Sequence, residues 1–190
     1  MRLGRQGFTF IEMLIVVIIL GMVAAFVGPR IDVTRFQVES SMQGVGLILL
    51  AVERQSITQQ HNIIVQFDQA RQSLRIHEDR NNNGLQDGGE RVRGVPLGEQ
   101  IVFGRGAASA MPIGPGPITF TKMIGGYPAV VFHRDGSASE AAGFYLTSLR
   151  AAKYAGGYAQ DSRAILLERA TGRASWYRYN QSASKWVKGF

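Results

Sequence analysis

The most constraining feature of this sequence is a nearly continuous apolar stretch at residues 8–27, FTFIEMLIVVIILGMVAAFV. A helix of this length would be about 30 Å long, which matches the hydrocarbon core of a bilayer. Glu12 is its single charged residue, and a short basic leader, MRLGRQG, precedes it. Because an unpaired charge inside lipid is costly, the function of this stretch depends on what Glu12 does.

Three interpretations of the stretch compete. A secretory signal peptide would use Arg2 and Arg5 as its basic region and Ala24 and Ala25 as a weak cleavage site, but it gains nothing from Glu12. A plain single-span anchor with its basic end in the cytoplasm explains the length and the leader, yet it leaves the carboxylate unexplained. The third interpretation, which we favour, accounts for the leader, the glycine, the aromatic residue and the carboxylate together.

The segment 7–12, GFTFIE, resembles the type IV prepilin signature, in which a basic leader ends in glycine and glutamate is the fifth residue of the mature chain. The resemblance implies that a membrane-embedded prepilin peptidase cleaves between Gly7 and Phe8 and then methylates the new amino group of Phe8. It also implies that Glu12 pairs with the amino terminus of a neighbouring subunit, which neutralises both charges away from water. Pro29 is then expected to kink the retained helix, and a simple helix stop is the alternative.

The pattern after the apolar stretch predicts an amphipathic continuation of the helix to about residue 60. Apolar residues recur there at steps of four and three, which is typical of one buried helix face. We expect a single long helix that is apolar all round at its start and packs on a sheet in its second half. Gly44 and Gly46 are expected to weaken it locally. The apolar stripe consists of Val38, Met42, Val45, Leu49 and Val52.

From residue 61 the pattern changes to that of a β domain, with a Gly- and Pro-rich loop at 104–117 and turns at 134–136 and 171–172. The predicted fold class is α+β, a long N-terminal membrane-spanning helix packed on an antiparallel β-sheet domain. The predicted strands are 62–67, 74–77, 91–93, 100–103, 118–121, 129–132, 143–147, 164–167 and 174–179. The predicted divisions are a leader at 1–7, a transmembrane and assembly helix at 8–28, its amphipathic continuation at 29–60 and a periplasmic β domain at 61–190.

Two short stretches of the β domain are similar to the GspH/FimT minor pseudopilins: 131–137, VFHRDGS, and 165–173, ILLERATGR. The resemblance implies a structural subunit of a type II secretion pseudopilus or of a type IV pilus. Such a subunit is a single-pass protein of the bacterial inner membrane with its C-terminal domain in the periplasm. Its implied partners are other pilin or pseudopilin subunits, the prepilin peptidase and an inner-membrane assembly platform, and no cofactor is required.

The segment 79–90, DRNNNGLQDGGE, fits the calcium-loop pattern D-x-N-x-N-G-x-x-D-x-x-E. A Ca²⁺ ion takes six to eight oxygen ligands, and this loop supplies about that number. Its flanks are predicted strands rather than the helices of an EF-hand, so a polar hairpin loop rich in turn-forming residues is the alternative. The candidate ligands are the side chains of Asp79, Asn81, Asn83, Asp87 and Glu90 and the carbonyl of Leu85.

The C-terminal segment combines basic residues with four aromatic ones. The net charge of the chain is +7, which permits an anionic partner. Cations would meet phosphates and aromatic rings could stack on exposed bases, so DNA binding is one hypothesis. The FimT branch includes DNA-uptake pilins with a Gly-Arg-x-Arg motif, but here Gly172-Arg173 is followed by Ala174-Ser175. We favour the alternative, a solvated basic face with packed aromatics, for Arg173, Arg178, Lys185 and Lys188.

The sequence gives no support for catalysis. It has no cysteine, which excludes disulfides, zinc thiolates and cysteine nucleophiles. Its three histidines, His61, His77 and His133, show no recognisable nucleophile or metal-ligand spacing. We therefore expect a protein that is not an enzyme.

Overall fold

The computed structural model describes residues 8–27, 32–154 and 156–189, without the side chains of Phe26 and Val27. Its contacts divide the chain into two compact units, Met1–Val33 and Thr34–Phe190. The predicted leader 1–7, with the cleavage residue Gly7, and the predicted kink at Pro29 lie outside the described residues.

The first unit contains helix α1, Phe10–Val27, which is almost entirely apolar apart from Glu12 in its first turn. Every described side chain from residue 8 to residue 25 is exposed. Across residues 8–27, 32–154 and 156–189, the structure contains no helix that combines the length and the apolarity needed to cross a bilayer. The helix predicted here is therefore present, whereas its membrane-spanning character stays a prediction.

Helix α2, Val33–Gln59, follows, and all of it except Val33 belongs to the second unit. All five residues of the predicted apolar stripe are buried in it, which confirms the helical period. The helix continues through Gly44 and Gly46 without a break. A Cβ atom on Gly46 would lie 2.9 Å from the ring of Trp176, so this glycine allows the close approach of an aromatic side chain.

Two five-stranded sheets follow, and the strand pairings described in both are antiparallel. The first has the order β3-β2-β1-β6-β5 and the second the order β10-β9-β8-β7-β4. A short helix, α3, Leu149–Lys153, and a 3₁₀ turn, Ala159–Asp161, connect β7 to β8. The strands are β1 Asn62–Asp68, β2 Ser73–Asp79, β3 Val92–Pro96, β4 Ile101–Phe103, β5 Met123–Ile124, β6 Tyr127–Phe132, β7 Gly143–Ser148, β8 Arg163–Leu167, β9 Ala174–Asn180 and β10 Lys185–Lys188.

The buried stripe of α2 and the inner faces of both sheets form one hydrophobic cluster. Its centre is aromatic: the ring of Phe67 stacks on that of Phe120 at 4.8 Å and contacts that of Phe144 at 4.9 Å, between ring centroids. Phe103 closes the group from β4, 6.0 Å from Phe67. This core joins the helix and both sheets, so the α+β class with antiparallel sheets is confirmed.

The predicted strand at 118–121 is wrong. Ile118 makes only an isolated bridge to Phe144, and the N–H of Thr119 donates to the carbonyl of Gly143. Phe120 is buried against Phe67, so its apolar character reflects core packing and not strand pairing. Strands β5 and β10 and helix α3 were not predicted from the sequence, and the strand predicted at 91–93 starts one residue earlier than β3 and is shorter than it.

The two stretches that resemble minor pseudopilins lie against each other. The N–H of Ala138 donates to the carbonyl of Arg169 at 2.8 Å. The turn at Gly172 touches the turn at Gly136 so closely that a Cβ on Gly172 would overlap the carbonyl oxygen of Gly136. The same Cβ would lie 3.4 Å from Glu53 of α2, so both turns pack beside this helix.

Candidate functional site

Glu12 takes part in a capping box at the start of α1. The N–H of Glu12 donates to the hydroxyl of Thr9 at 3.3 Å, and the N–H of Thr9 donates to the carboxylate of Glu12 at 3.4 Å. These reciprocal bonds satisfy two backbone donors that a helix start leaves without partners. This role of Thr9 was not predicted from the sequence, although the pattern T-x-x-E before an apolar run is the signature of a capping box.

The carboxylate at this position is also electrostatically favourable, because the N-terminal end of a helix carries partial positive charge. Phe8, the predicted mature terminus, is 78% exposed, and Glu12 is exposed as well. The structure therefore gives Glu12 a function in its own helix. The predicted pairing with another subunit's amino group stays a prediction.

The predicted calcium loop connects β2 to β3, so its flanks are strands, as expected. The carboxylate of Asp79 is buried and accepts the N–H groups of Asn83 and Gly84 at 3.0 and 2.9 Å. The side-chain amides of Asn81 and Asn83 both donate to one oxygen of Asp87, at 2.7 and 2.5 Å. Three candidate ligands, Asn81, Asn83 and Asp87, thus lie together. A rotation of each side-chain amide by 180° would place its oxygen, instead of its nitrogen, beside Asp87.

Both oxygens of Glu90, the last candidate ligand, already have hydrogen-bond partners in this arrangement. One oxygen lies 2.8 Å from Nε2 of the buried His77 and accepts the N–H of Asp87, and the other accepts the N–H of Arg80. The hydrogen bond from the N–H of Asp87 is the largest cause that lowers the pKa of Glu90, with His77 and Arg80 adding to it and burial opposing it. A bidentate calcium ligand would have to give up these partners.

Leu85 is exposed, and its N–H donates to the side chain of Asn83. In the described part of the chain, no three or more histidine, aspartate or glutamate side chains are arranged to hold a metal ion. The internal bonds of the loop fit the polar hairpin alternative. Calcium binding stays a prediction.

The four candidate DNA-contacting residues are all exposed, and only two of them share a site. Arg178 of β9 and Lys188 of β10 line one cavity, whereas Arg173 and Lys185 do not border it. In residues 32–154 and 156–189, no ion pair joins any of the four to a carboxylate. Of the four candidate residues, therefore, Arg178 and Lys188 are the two that line this cavity.

The aromatic residues of this region pack on the protein. The ring of Trp186 lies 5.7 Å from that of Tyr145 and 5.2 Å from that of Tyr179, between centroids, and its N–H donates to the carbonyl of Ser109. Trp176 is half-buried beside Gly46. Rings held in this way are not free to stack on bases, which favours the alternative of a solvated basic face.

Residues 2–28 match the family model described as the prokaryotic N-terminal methylation motif. The chain carries this motif. The match confirms the prepilin-type N-terminus that the segment 7–12 predicted. No curated protein matches the chain.

Among solved structures, the chain is similar to the minor pseudopilin EpsH from the type 2 secretion system of Vibrio cholerae, with a TM-score of 0.38 and 14% sequence identity. The alignment covers 80% of this chain and 94% of that one. Similarity at this level does not assign a function, so the N-terminal motif is what constrains the function of this protein.

Proposed function

We propose that this protein is a minor pseudopilin, a structural subunit that is assembled into the periplasmic pseudopilus of a type II secretion system or into a type IV pilus. The observation that carries the proposal is the N-terminal methylation motif at residues 2–28. Proteins that carry a prepilin-type motif are structural subunits rather than enzymes. The resemblance of segments 131–137 and 165–173 to minor pseudopilins supports the narrower class.

In this proposal, the prepilin peptidase cleaves between Gly7 and Phe8 and methylates Phe8. Residues 8–28 then hold the subunit in the inner membrane as a single pass, with the β domain in the periplasm. The exposed apolar side chains of α1 support this step, because so large an apolar surface needs lipid or neighbouring helices to cover it. Pro29 would kink the helix where it leaves the membrane.

Glu12 would have two functions that follow one another. In the separate subunit it caps α1, as the bonds with Thr9 indicate. In the filament it would pair with the methylated amino group of Phe8 of a neighbour, which removes one negative and one positive charge from an apolar environment together.

A pair of substitutions separates these functions. Glu12→Gln keeps an oxygen that can accept the N–H of Thr9, but it removes the charge; Glu12→Leu removes both. We expect both variants to be cleaved by the peptidase and both to fail in assembly, measured as subunit recovered in sheared or cross-linked filaments. If Glu12→Gln assembles like the unmodified protein, the capping function alone is sufficient and the pairing is contradicted.

A second candidate is a pilus protein that binds DNA during uptake. The observation in its favour is that Arg178 and Lys188 border one cavity without a carboxylate partner among the described residues. Phosphate contacts make DNA binding steeply salt-dependent. A mobility-shift series with duplex DNA tests it, and an absence of binding at low salt would exclude this function.

A further inference from the structure

Two adjoining cavities form a groove between α2 and the C-terminal hairpin β9–β10, called here the α2–hairpin groove. The first encloses about 350 Å³ and is lined by Met42, Leu47 and Trp176, with Arg178 and Lys188 at its edge. The second encloses about 700 Å³ and is lined by Arg35, Gln160 and Tyr179. Arg178 borders both, so the two cavities adjoin at this side chain. All of these residues belong to the second unit.

The floor of the groove is apolar and held in a fixed position. Trp176 is wedged between Gly46 of α2 and Gly189 after β10, where added Cβ atoms would lie 2.9 and 2.8 Å from its ring. Met42 is buried beside it, while Leu47 is 66% exposed. An exposed leucine next to an apolar cavity adds apolar surface that a bound partner would remove from water, and this burial is favourable.

The edge of the groove carries three exposed basic side chains. Arg35, Arg178 and Lys188 are exposed, and within the described ranges none of them pairs with a carboxylate. Among the residues that the structure describes, the single carboxylate in the lining is that of Glu39, and it is bound at 2.9 Å by the guanidinium of the buried Arg163. The lining therefore has an excess of cations around an apolar floor.

Charge decides which occupant fits. The chain has a net charge of +7, so a second copy of it would bring like charge to this edge. We propose that the α2–hairpin groove binds an acidic amphipathic segment of a different protein, with an apolar side chain over Trp176 and Leu47 and carboxylates against Arg35, Arg178 and Lys188. This mode is that of a helix in a groove, with apolar anchors and a charged edge. It does not depend on how the N-terminus is processed.

A designed peptide tests the proposal directly. The probe is a fluorescein-labelled helical peptide with leucine along one face and glutamate along the other, and the matched control peptide has lysine in place of glutamate. Binding to the full chain in neutral phosphatidylcholine nanodiscs is measured by fluorescence anisotropy at low and high salt. We expect the acidic peptide to bind, with an affinity that falls as salt rises, and the basic peptide not to bind.

Variants locate the site. Leu47→Ala should weaken the acidic peptide about tenfold, since most of one buried leucine is lost, and Arg178→Glu should do so by a similar factor. Arg93→Glu is the matched control, because Arg93 is exposed on β3 in the other sheet, and it should change binding by less than about twofold. Unchanged thermal melting of each variant shows that the fold is intact, as expected for three exposed positions.

Several outcomes would overturn the proposal. Equal binding of the two peptides, or an equal effect of Arg93→Glu and Arg178→Glu, would show that the groove is not the site. Binding of duplex DNA but of neither peptide would assign the charged edge to nucleic acid. Dimerisation in solution that Leu47→Ala abolishes would assign the groove to a second copy.

Discussion

Gly172 and Gly126 both have left-handed backbone conformations, with φ values of +64° and +83°, but their surroundings differ. A Cβ on Gly126 would meet nothing within 4 Å. A Cβ on Gly172 would overlap the carbonyl oxygen of Gly136 and touch Glu53 of α2. The comparison of Gly172→Ala with Gly126→Ala therefore isolates the contact between the two turns from the backbone conformation itself.

The size of the difference follows from these two terms. A residue with a Cβ in the left-handed region costs about 1–2 kcal/mol, and both substitutions lower the free energy of unfolding by this amount. Forcing extra volume into a packed contact costs roughly 1–3 kcal/mol more, and only Gly172→Ala has this second loss. We expect Gly126→Ala to lower the free energy of unfolding by about 1–2 kcal/mol and Gly172→Ala to lower it by about 2–5 kcal/mol.

Urea unfolding of the full chain in neutral nanodiscs, followed by tryptophan fluorescence, measures both values. The slope with urea concentration should be the same for the two variants, because the surface exposed on unfolding is the same. Equal destabilisation by both substitutions would refute the contact between the turns at Gly136 and Gly172. The hydrogen bond from the N–H of Ala138 to the carbonyl of Arg169 would then be the remaining observed link beside the two stretches that resemble minor pseudopilins.

Two further predictions concern the loop 79–90. If the loop binds calcium, millimolar calcium should raise the melting temperature, because a ligand that binds only the folded state stabilises that state. Asp79→Ala should abolish this rise. No rise in the unmodified protein, or the same rise in the variant, would contradict the calcium site. The lowered pKa of Glu90 means that its stabilising effect is present above the unfolded value of about 4.3 and is lost as pH falls through the lower folded value. Glu90→Gln should therefore be less stable than the unmodified protein near neutral pH. Urea unfolding at a series of pH values should show that the difference in unfolding free energy between the two proteins becomes smaller below about pH 4. A difference that stays unchanged below this pH would contradict the hydrogen bonds from His77 and Asp87.

Patterns that depend on one local period were read correctly from the sequence. The stripe from Val38 to Val52 repeats at the helical period, and α2 buries all of it. Strand β1 contains the apolar, β-branched run Ile63-Ile64-Val65, and it lies at the centre of its sheet. The strand predicted at 118–121 was wrong, because Phe120 is buried by stacking on Phe67 and not by strand pairing. In the sequence, a buried aromatic residue between polar ones gives the same short alternating pattern as a strand.

The candidate sites depend on contacts between residues far apart in the chain, which a single sequence does not reveal. His77 meets Glu90 only because β2 and β3 pair and the loop folds back on them. The α2–hairpin groove forms because the fold brings Leu47 of α2 close to Trp176 of β9. Strand β10 was not predicted, because two of its four residues are lysines. Thr9 is different: its capping pattern is local and could have been found from the sequence.

The mature amino terminus tests the central claim most directly. The protein is extracted from membranes of cells that contain a prepilin peptidase, and its N-terminal peptide is sequenced by tandem mass spectrometry. We predict a chain that starts at Phe8 and carries one methyl group on its amino nitrogen, with Glu12 as its fifth residue. A chain that starts near Ala25, as after signal-peptide cleavage, or one that keeps its leader, would contradict the assignment of this protein as a pseudopilin.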